Sequence, residues 1–207
     1  MAGTRLIVGL GNPGPEYERT RHNVGFETIS RIAEKTGISS TDENIVQRAL
    51  DKIKGSGLYD SVEGRFRGHS VVLAKPKTFM NRSGAAVAKL KGRFGLDTQD
   101  ILVIVDDIYL DVGSLRVRPA GGSGGHNGLE DIIDALDSDN FPRMRIGVGS
   151  SFRPGRQADY VLEPFSDDER SVVDDVIDTA ADAALTFVTD GVVTTMNRYN
   201  KRMGGSS

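Results

Sequence analysis

Two of the three histidines stand directly before an asparagine at the expected start of a helix, as His22-Asn23 and His126-Asn127. Asparagine is a good helix N-cap, so capping accounts for Asn23 and Asn127, and a histidine in such a place is more often structural than catalytic. His22 is the stronger candidate for chemistry because it follows closely the loop that carries Asn12. An imidazole, a carboxylate that orients it and nearby amides suit hydrolysis by an activated water molecule.

A carboxylate for such a site is available in the acidic run Asp106-Asp107-Ile-Tyr-Leu-Asp111, which follows the apolar segment 101–105. The end of a buried strand is a common place for functional carboxylates in α/β folds. In a parallel sheet the following side chains would converge on one edge: His22, Asn12, Asp106 and Asn127. Two carboxylates with water could also bind magnesium, although neither a further acidic cluster nor a phosphate-binding lysine loop supports a metal site.

The first glycine-rich loop, Gly9-Leu-Gly11-Asn-Pro-Gly14, follows an apolar segment and matches the dinucleotide-binding pattern G-x-G-x-x-G. That site needs a helix that begins within the motif, but Pro13 and Pro15 interrupt the helix there. It also needs a second strand with a terminal acidic residue about 20 positions further on, where this sequence has a helical pattern. Dinucleotide-dependent redox chemistry is therefore a minor alternative.

The second glycine-rich loop, Gly121-Gly-Ser123-Gly-Gly125, matches the nucleophile-elbow pattern G-x-S-x-G between a predicted strand and a predicted helix. His126 is the only later histidine, and it lies too close to Ser123 to return as the general base. A serine mechanism would therefore have to recruit His22 in another chain order. The simpler interpretation is a flexible turn whose glycines let a ligand approach the backbone.

Charge is distributed unevenly along the chain, although the net charge is only −3. Residues 64–96 contain eight basic and no acidic side chains, whereas residues 159–191 contain ten acidic side chains and a single arginine. Such a polarity can make one face attractive to phosphates, or it can simply produce two differently solvated faces.

Length and composition indicate one globular domain, which we place at residues 1–203 with a flexible tail at 204–207. The 207 residues contain no cysteine and no apolar run long enough to span a membrane. The first apolar stretch is too short for the core of a signal peptide, so we expect no membrane association and a cytoplasmic location.

Hydrophobic periodicity predicts alternating strands and helices, which is typical of an α/β fold. We expect a single domain with a mixed, mostly parallel sheet flanked by helices on both faces. The predicted strands are residues 4–10, 58–62, 70–74, 101–105, 114–118 and 144–148. The predicted helices are residues 24–36, 42–54, 80–94, 128–136, 167–188 and 192–201.

Three long motifs occur in order along nearly the whole chain, from about residue 4 to residue 200. They are Leu6-Ile-Val-Gly-Leu-Gly-Asn12-Pro-Gly-x-x-Tyr17-x-x-Thr20-Arg21-His22-Asn23-x-Gly25, Lys75-Pro-x-Thr78-Phe79-Met80-Asn81-x-Ser83-Gly84, and Gly121-Gly-x-Gly-Gly-His126-Asn127-Gly128-Leu129 followed by Arg143-x-Arg145-Ile-Gly-x-Gly149. With these motifs the sequence resembles the bacterial-type peptidyl-tRNA hydrolases.

The resemblance implies hydrolysis of the ester between a peptide and the terminal ribose of tRNA, which returns tRNA to translation. His22 matches the family's general base, and Asp106 matches the carboxylate that orients it. The amides of the site match Asn12, Asn81 and Asn127. The family resemblance further implies a monomeric enzyme that needs no cofactor and no metal.

The resemblance also implies where the substrate binds. The residues that match the cleft for the terminal adenosine and the first peptide residue, or that flank it, are Tyr17, Phe79, Met80 and His126. On the sequence alone, Phe79 and Met80 could equally belong to the core. The residues that match the clamp on tRNA phosphates are Arg116, Arg118, Arg143 and Arg145. Arg116 and Arg118 alternate with a valine, so they should share one face of a strand.

Two segments depart from the pattern or await a role. Residues 42–54 form an amphipathic addition that is longer than in most relatives, and residues 150–157 have the composition of a mobile loop at the entrance of the site. The alternative to an esterase is an RNA-binding protein on the same scaffold that has lost catalysis, although retention of His22, Asp106 and the three asparagines argues against it.

Overall fold

The computed structural model describes residues 3–38 and 57–200. The helix predicted at residues 42–54 and the tail predicted at residues 204–207 lie outside the described residues.

Six strands form one sheet in the order β2-β3-β1-β4-β6-β5. The strands are β1 (Arg5–Gly9), β2 (Tyr59–Phe66), β3 (His69–Pro76), β4 (Ile101–Asp107), β5 (Leu115–Arg118) and β6 (Arg143–Gly147). Strand β1 runs parallel to β3 and β4, and β4 runs parallel to β6, whereas the outer pairs β2–β3 and β5–β6 are antiparallel. The prediction of a mixed, mostly parallel sheet is confirmed.

The register of the central strands exposes the end of β4. Gly9, the last residue of β1, pairs with Ile104, so β4 continues three residues beyond its neighbour. Asp106 belongs to this overhang and pairs with Ile146 of β6 on the other side. A crevice outside the carboxyl ends of parallel strands is where α/β proteins commonly bind ligands.

Helices cover both faces of the sheet, as predicted. They are α1 (Val24–Thr36), α2 (Ser83–Phe94), α3 (Asn127–Leu136), α4 (Gln157–Val161) and α5 (Asp167–Tyr199). In β1, Ile7 packs into the core under α1 and α5, whereas Leu6 and Val8 pack into the core under α2 and α3. This alternation follows from the period of two in a strand, and a central strand buried on both faces is accordingly apolar throughout.

The hairpin β2–β3 is longer than predicted, because the sequence indicated strands only at residues 58–62 and 70–74. The two strands are joined by Arg67 and Gly68, whose φ angles are 48° and 84°. Positive φ at both central residues is the requirement of a type I′ turn, whose twist matches that of the strands it joins.

The long helix α5 contains both helices predicted at residues 167–188 and 192–201. It begins with a capping box, in which Ser166 Oγ accepts from Glu169 N at 3.3 Å and Ser166 N donates to Glu169 Oε2 at 2.8 Å. Gly191, with φ 77° and ψ 176°, interrupts the helical geometry. At its far end Asn200 donates to Val117 O at 2.9 Å and accepts from Val117 N at 2.7 Å, which attaches α5 to β5. None of the helices within residues 3–38 and 57–200 has the length and apolar character required to cross a membrane.

Candidate active site

A cavity of about 360 Å³ lies beyond the carboxyl end of β4. Polar side chains line it from a 3₁₀ segment before α1, from β4, from β6 and from the start of α3. They include His22, Asp106, Asp107, His126, Asn127 and Arg145. Of the four side chains predicted to converge at one edge of the sheet, His22, Asp106 and Asn127 line this cavity, whereas Asn12 lines a second one.

At the centre of the site two imidazoles share one carboxylate oxygen. His22 Nδ1 lies 2.8 Å from Asp106 Oδ1, and His126 Nε2 lies 3.0 Å from the same oxygen. The two rings are 5.2 Å apart between centroids. An ionised carboxylate only accepts hydrogen bonds, so both nitrogens carry the proton and donate.

The hydrogen bonds also fix the tautomer of each histidine. His126 Nδ1 accepts a hydrogen bond from Leu129 N at 3.2 Å, so the proton of this ring is on Nε2. In His22 the Nδ1 proton is held by Asp106, which leaves Nε2 as the nitrogen that can accept a proton. The two histidines therefore differ in chemical capacity. His22 has an unprotonated nitrogen that is free to accept a proton, whereas the unprotonated nitrogen of His126 accepts a hydrogen bond from the first turn of α3.

The buried carboxylate shifts the protonation of His22. Burial by itself lowers the pKa of His22, but the charge of Asp106 and its hydrogen bond outweigh that effect and raise the pKa above its ordinary value of 6.5. Burial opposes ionisation of Asp106, yet the two histidines hold its pKa far below the usual range. Asp106 is therefore ionised and acceptor-only at neutral pH.

The N-cap of α3 differs from the sequence interpretation. We expected Asn127 to cap this helix, but His126 occupies the N-cap position, and its Nδ1 takes the backbone N–H three residues on. An imidazole nitrogen that is unprotonated can accept in the same way as the usual cap oxygens. Asn127 is left exposed at the wall of the cavity, where its amide can meet a ligand.

Asn23 also does something other than cap a helix. It stands at the N-cap of α1 but makes no capping hydrogen bond. Its Oδ1 accepts from Asn12 N at 2.8 Å and its Nδ2 donates to Asn12 O at 3.0 Å, so one side chain holds the backbone of the other residue at two points. Both asparagines are buried. Asn23 is thus a positioning residue for Asn12, and its adjacency to His22 is the only sequence signal for that role.

A hydrogen bond fixes the orientation of the side-chain amide of Asn12. Its Oδ1 accepts from Met80 N at 2.9 Å, and a backbone N–H cannot accept, so the atom that faces it must be the oxygen. Nδ2 is therefore the donor that Asn12 can offer to a ligand. It lines a second cavity of about 530 Å³ together with Asn23, Phe26 and Lys75.

The other residues predicted to contact the substrate fall into two environments. Phe79 is 55% exposed and its ring meets that of Tyr17 edge-on, with 6.4 Å between centroids. Asn81 is exposed in the 3₁₀ segment that follows. Met80 is buried, and a Cβ added to Gly128 would lie 2.6 Å from its sulfur, so it packs against the start of α3. The sequence alone could not decide whether Phe79 and Met80 belong to the core. In the structure Phe79 lies outside the core and Met80 lies within it.

The four predicted phosphate ligands form a cross-strand ladder. In the antiparallel pair β5–β6, Arg116 is opposite Arg145 and Arg118 is opposite Arg143, so all four point to one face of the sheet. Arg116 and Arg118 are exposed on either side of the buried Val117, as the alternation predicted. This face carries α3 and the glycine loop that precedes it.

The two arginines of β6 hold that glycine loop. Arg145 Nη2 donates to Gly122 O at 3.1 Å and to Ser123 O at 2.9 Å, and its Nη1 lies 3.2 Å from Asp107 Oδ2. Arg143 is only 1% exposed and donates to a set of backbone carbonyls, those of Gly121, Gly122, Asp139 and Phe141. Burial together with the charge of Arg145 lowers the pKa of Arg143 to about 10.

This geometry corrects the expectation for Arg143. Its guanidinium is buried and bonded to the main chain, so it is arranged to support the loop rather than to contact a phosphate. The sequence could not distinguish it from Arg145, because two of the carbonyls that cover it, those of Gly121 and Gly122, are 22 and 21 residues away along the chain.

The structure also decides between the alternative motif interpretations. A Cβ added to Gly9 would lie 2.1 Å from Gly25 O, so this glycine permits close packing of β1 on α1, and two 3₁₀ segments rather than a helix follow the motif. The dinucleotide interpretation fails on that point. Ser123 Oγ accepts from Gly125 N at 3.3 Å, and Ser123 does not line the cavity that contains His22, so the structure shows no nucleophile–base pair for a serine mechanism among the described residues.

Three side chains have the chemistry to hold a metal ion. The donor atoms of His22, Asp106 and His126 all lie within 4.8 Å of one another. Both imidazoles, however, present N–H groups to the carboxylate, so a metal would have to displace two hydrogen bonds and two protons. The magnesium alternative at the acidic run is not favoured either, because Asp107 is paired with Arg145 while Asp106 faces the histidines.

Sequence reasoning missed Arg21 as a residue that positions the site. Arg21 is buried between the rings of Tyr160 and Phe165, at 4.4 and 4.6 Å from their centroids, and donates to Glu169 Oε2 at 3.0 Å. It attaches the start of α5 to the residue before His22.

Residues 150–156 form the loop before α4, which contributes Gln157 to the cavity wall; the mobility of this loop stays a prediction.

Comparison with known proteins gives a consistent result. The sequence profile of the family described as peptidyl-tRNA hydrolase matches residues 6–206. A peptidyl-tRNA hydrolase of Salinibacter ruber is 44% identical over 195 residues, which cover 94% of this chain and 97% of that protein. One of Clostridium botulinum is 43% identical over 196 residues, covering 94% and 96%.

Solved structures agree with the sequence comparison. A crystal structure of peptidyl-tRNA hydrolase from Acinetobacter baumannii matches with a TM-score of 0.83 at 36% identity, covering 97% of this chain and 96% of that one. Since the profile and these relatives span almost the whole chain, the protein belongs to the peptidyl-tRNA hydrolase family.

Proposed function

We propose that this chain hydrolyses the ester that joins the last carboxyl group of a peptide to the terminal ribose of tRNA, with His22 as the general base. The observation that carries the proposal is the hydrogen bond from His22 Nδ1 to Asp106 Oδ1, because it leaves Nε2 as a base in a cavity of suitable size. Family membership supports the substrate class.

In the proposed reaction a water molecule gives its proton to His22 Nε2 as its oxygen attacks the ester carbonyl. Asp106 stabilises the imidazolium that forms. The tetrahedral intermediate then collapses, the bond between the carbonyl carbon and the ribose oxygen breaks, and the proton on Nε2 passes to that oxygen. The products are a peptide with a free carboxyl group and tRNA, which is available again for translation.

Amide donors are proposed to hold the peptide and the developing negative charge. Asn12 can donate through Nδ2, which suits a carbonyl or an oxyanion, and one such donor is typically worth about 3–4 kcal/mol of barrier. Asn127 at the cavity wall and Asn81 in its exposed segment are the further candidates. Tyr17 and Phe79 are proposed to contact the terminal adenosine and the first peptide residue.

Phosphate binding is proposed for the arginine ladder. Like charges directly opposite each other on neighbouring strands repel, so the pairs Arg116–Arg145 and Arg118–Arg143 are costly unless anions offset them. Carbonyls offset the charge of Arg143, whereas Arg116 and Arg118 are exposed and suited to bidentate phosphate contact. We propose that these two and Arg145 contact the tRNA backbone, that the enzyme acts as a monomer, and that it needs neither metal nor cofactor.

The experiment compares release of N-acetylated amino acid from tRNA by the wild type, His22→Ala and His69→Ala in the presence of a chelator. Removal of a general base should lower the rate by about 10²- to 10⁴-fold. His69→Ala is the matched control, because His69 lies at the start of β3 and does not line the cavity. It should keep wild-type activity.

Two results would contradict the proposal. If His22→Ala remained as active as His69→Ala, His22 would not be the base. If the folded wild type bound tRNA but released nothing, the protein would be an RNA-binding member of the family rather than an esterase.

A further inference from the structure

Tyr109 is an exposed aromatic side chain in the wall of the catalytic cavity, and the mechanism above does not use it. It is 75% exposed, more than any other large apolar side chain in the described part of the chain. It nevertheless lines the same cavity as His22 and Asp106. A ring so little buried contributes almost nothing to folding through removal of apolar area from water, so its place in the cleft calls for another explanation.

One carboxylate fixes the position of Tyr109 relative to Arg145. Asp107 Oδ1 accepts a hydrogen bond from the backbone N–H of Tyr109 at 2.8 Å, and Asp107 Oδ2 lies 3.2 Å from Arg145 Nη1. Asp107 itself is the last residue of β4, so its backbone is held by the sheet. The backbone of Tyr109 and the guanidinium of Arg145 are thus both bonded to the last residue of β4, and both residues line the cavity.

This combination fits one nucleotide. The contacts described above engage three of the five N–H donors of Arg145, so the remaining donors can meet a phosphate oxygen, and an aromatic ring stacks on a base. Stacking of this kind tolerates any base, because every base has a π face. The lining of the same cavity also includes the apolar side chains of Ile108 and Val161.

We propose that Tyr109 stacks on an unpaired base of the RNA strand that leads to the ester, namely the base of the nucleotide before the esterified one. Arg145 contacts the phosphate that joins these two nucleotides. The inference rests on the proposed function, since the ester must reach His22 in the same cavity. Because Tyr17 and Phe79 are proposed to take the terminal adenosine, the rim at Tyr109 is left for its neighbour.

The test uses two N-acetyl-aminoacyl esters of the same short 3′-terminal oligonucleotide, one complete and one abasic at the nucleotide before the esterified one. For the wild type, kcat/KM should be at least about fivefold lower on the abasic substrate. Tyr109→Ala should lose a similar factor on the complete substrate, mainly through KM, and should no longer distinguish the two. Tyr109→Phe keeps the ring and should keep the distinction.

Val193→Ala serves as the control, because Val193 is also exposed and apolar but lies on α5 and outside the cavity. It should preserve both rates. Equal losses for Tyr109→Ala on the two substrates, or no loss on either, would overturn the proposal.

A binding experiment separates the proposed esterase function from the proposed stacking by Tyr109. It uses uncleavable versions of the complete and the abasic oligonucleotide, in which an amide replaces the ester, with the wild type and with Tyr109→Ala. Absence of ester cleavage by the wild type would refute the proposed function. The ratio of the affinities for the complete and the abasic oligonucleotide would still decide whether Tyr109 stacks on the base. An unchanged ratio in Tyr109→Ala would refute stacking even in an active enzyme.

Discussion

Asp106 Oδ1 takes hydrogen bonds from two imidazoles that have different tasks, so this one oxygen orients the base and also restrains the cap of α3. Asp106→Asn retains the size of the side chain but removes its charge. The charge is what raises the pKa of His22 against the opposing effect of burial. A neutral amide would also no longer stabilise the imidazolium that forms during attack of water.

For Asp106→Asn we expect the maximal rate to fall by about 10²- to 10⁴-fold. Only the unprotonated imidazole accepts a proton, so the rate should rise with pH through the pKa of His22, which lies above 6.5 in the wild type. In the variant this rise should occur at lower pH. A profile of kcat/KM against pH measures both effects, and an unmoved acidic limb would show that Asp106 does not set the pKa of the base.

At the scale of single residues, chemical type and spacing were enough to predict that His22 and Asp106 lie together at one edge of the sheet. They were not enough to predict which atoms each polar side chain bonds in the folded protein. Asparagine suits a helix N-cap and a backbone clamp equally well, so Asn23 could be given only the commoner role. Arg143 and Arg145 are two residues apart and share a face, yet one is buried under a loop whose position no local pattern specifies.

The close approach of α1 to β1 depends on two glycines that face each other. A Cβ on Gly9 would lie 2.1 Å from Gly25 O, and one on Gly25 would lie 2.6 Å from Ile104 O. These contacts are with backbone, which cannot move away without shifting a whole element. The helix that follows His22 is thereby held against the strand that ends beside Asn12.

Gly9→Ala should therefore lower the free energy of unfolding by about 1–3 kcal/mol, the usual cost of overpacking. Gly92→Ala is the matched control, since Gly92 lies in α2 with no atom within 4 Å of an added Cβ. It should raise stability by about 0.5–1 kcal/mol, because alanine loses less conformational entropy in a helix. Denaturant unfolding measures both, and a loss of stability in Gly92→Ala would contradict this account.

At the scale of elements, apolar periodicity predicted the strands and, except for the short α4, the helices within the described residues, and the structure adjusts mainly their ends. The hairpin β2–β3 extends past its apolar centre, because polar residues there face outward while the turn at Gly68 sets the pairing. The expectation of two helices after Ser166 is confirmed, because Gly191 breaks the helical geometry and the two helices meet there at a kink. Backbone pairing, rather than side-chain pattern, decides such boundaries.

Over the whole molecule the charges are arranged differently from their order in the sequence. The acidic α5 is partly neutralised by α1, where Lys35 contacts Asp178 and Asp182 at 2.7 Å. The basic stretch 64–96 is divided among β2, β3 and α2, and Arg93 pairs there with Glu63. The concentrated positive face is instead the arginine ladder at the other edge of the sheet, which only strand register could reveal.

Arg116→Ala and Arg118→Ala should each raise KM for the tRNA substrate and reduce the slope of log KM against log salt by about 1, because each removes a phosphate contact. Arg65→Ala is the matched control, since Arg65 is exposed on β2 at the opposite edge of the sheet. Its slope should match the wild type. A weaker affinity with an unchanged slope would mean that the ladder acts through something other than phosphates.

Because the chain has only three histidines and two of them share Asp106, the imidazole region of an NMR spectrum would be largely a spectrum of the site. The protons on His22 Nδ1 and His126 Nε2 are bonded to a buried oxygen, so they should exchange slowly with solvent and resonate far downfield. His69 supplies an internal reference outside the cavity. Entry of any unlabelled ligand could then be followed on two resonances, without modifying either the ligand or the protein.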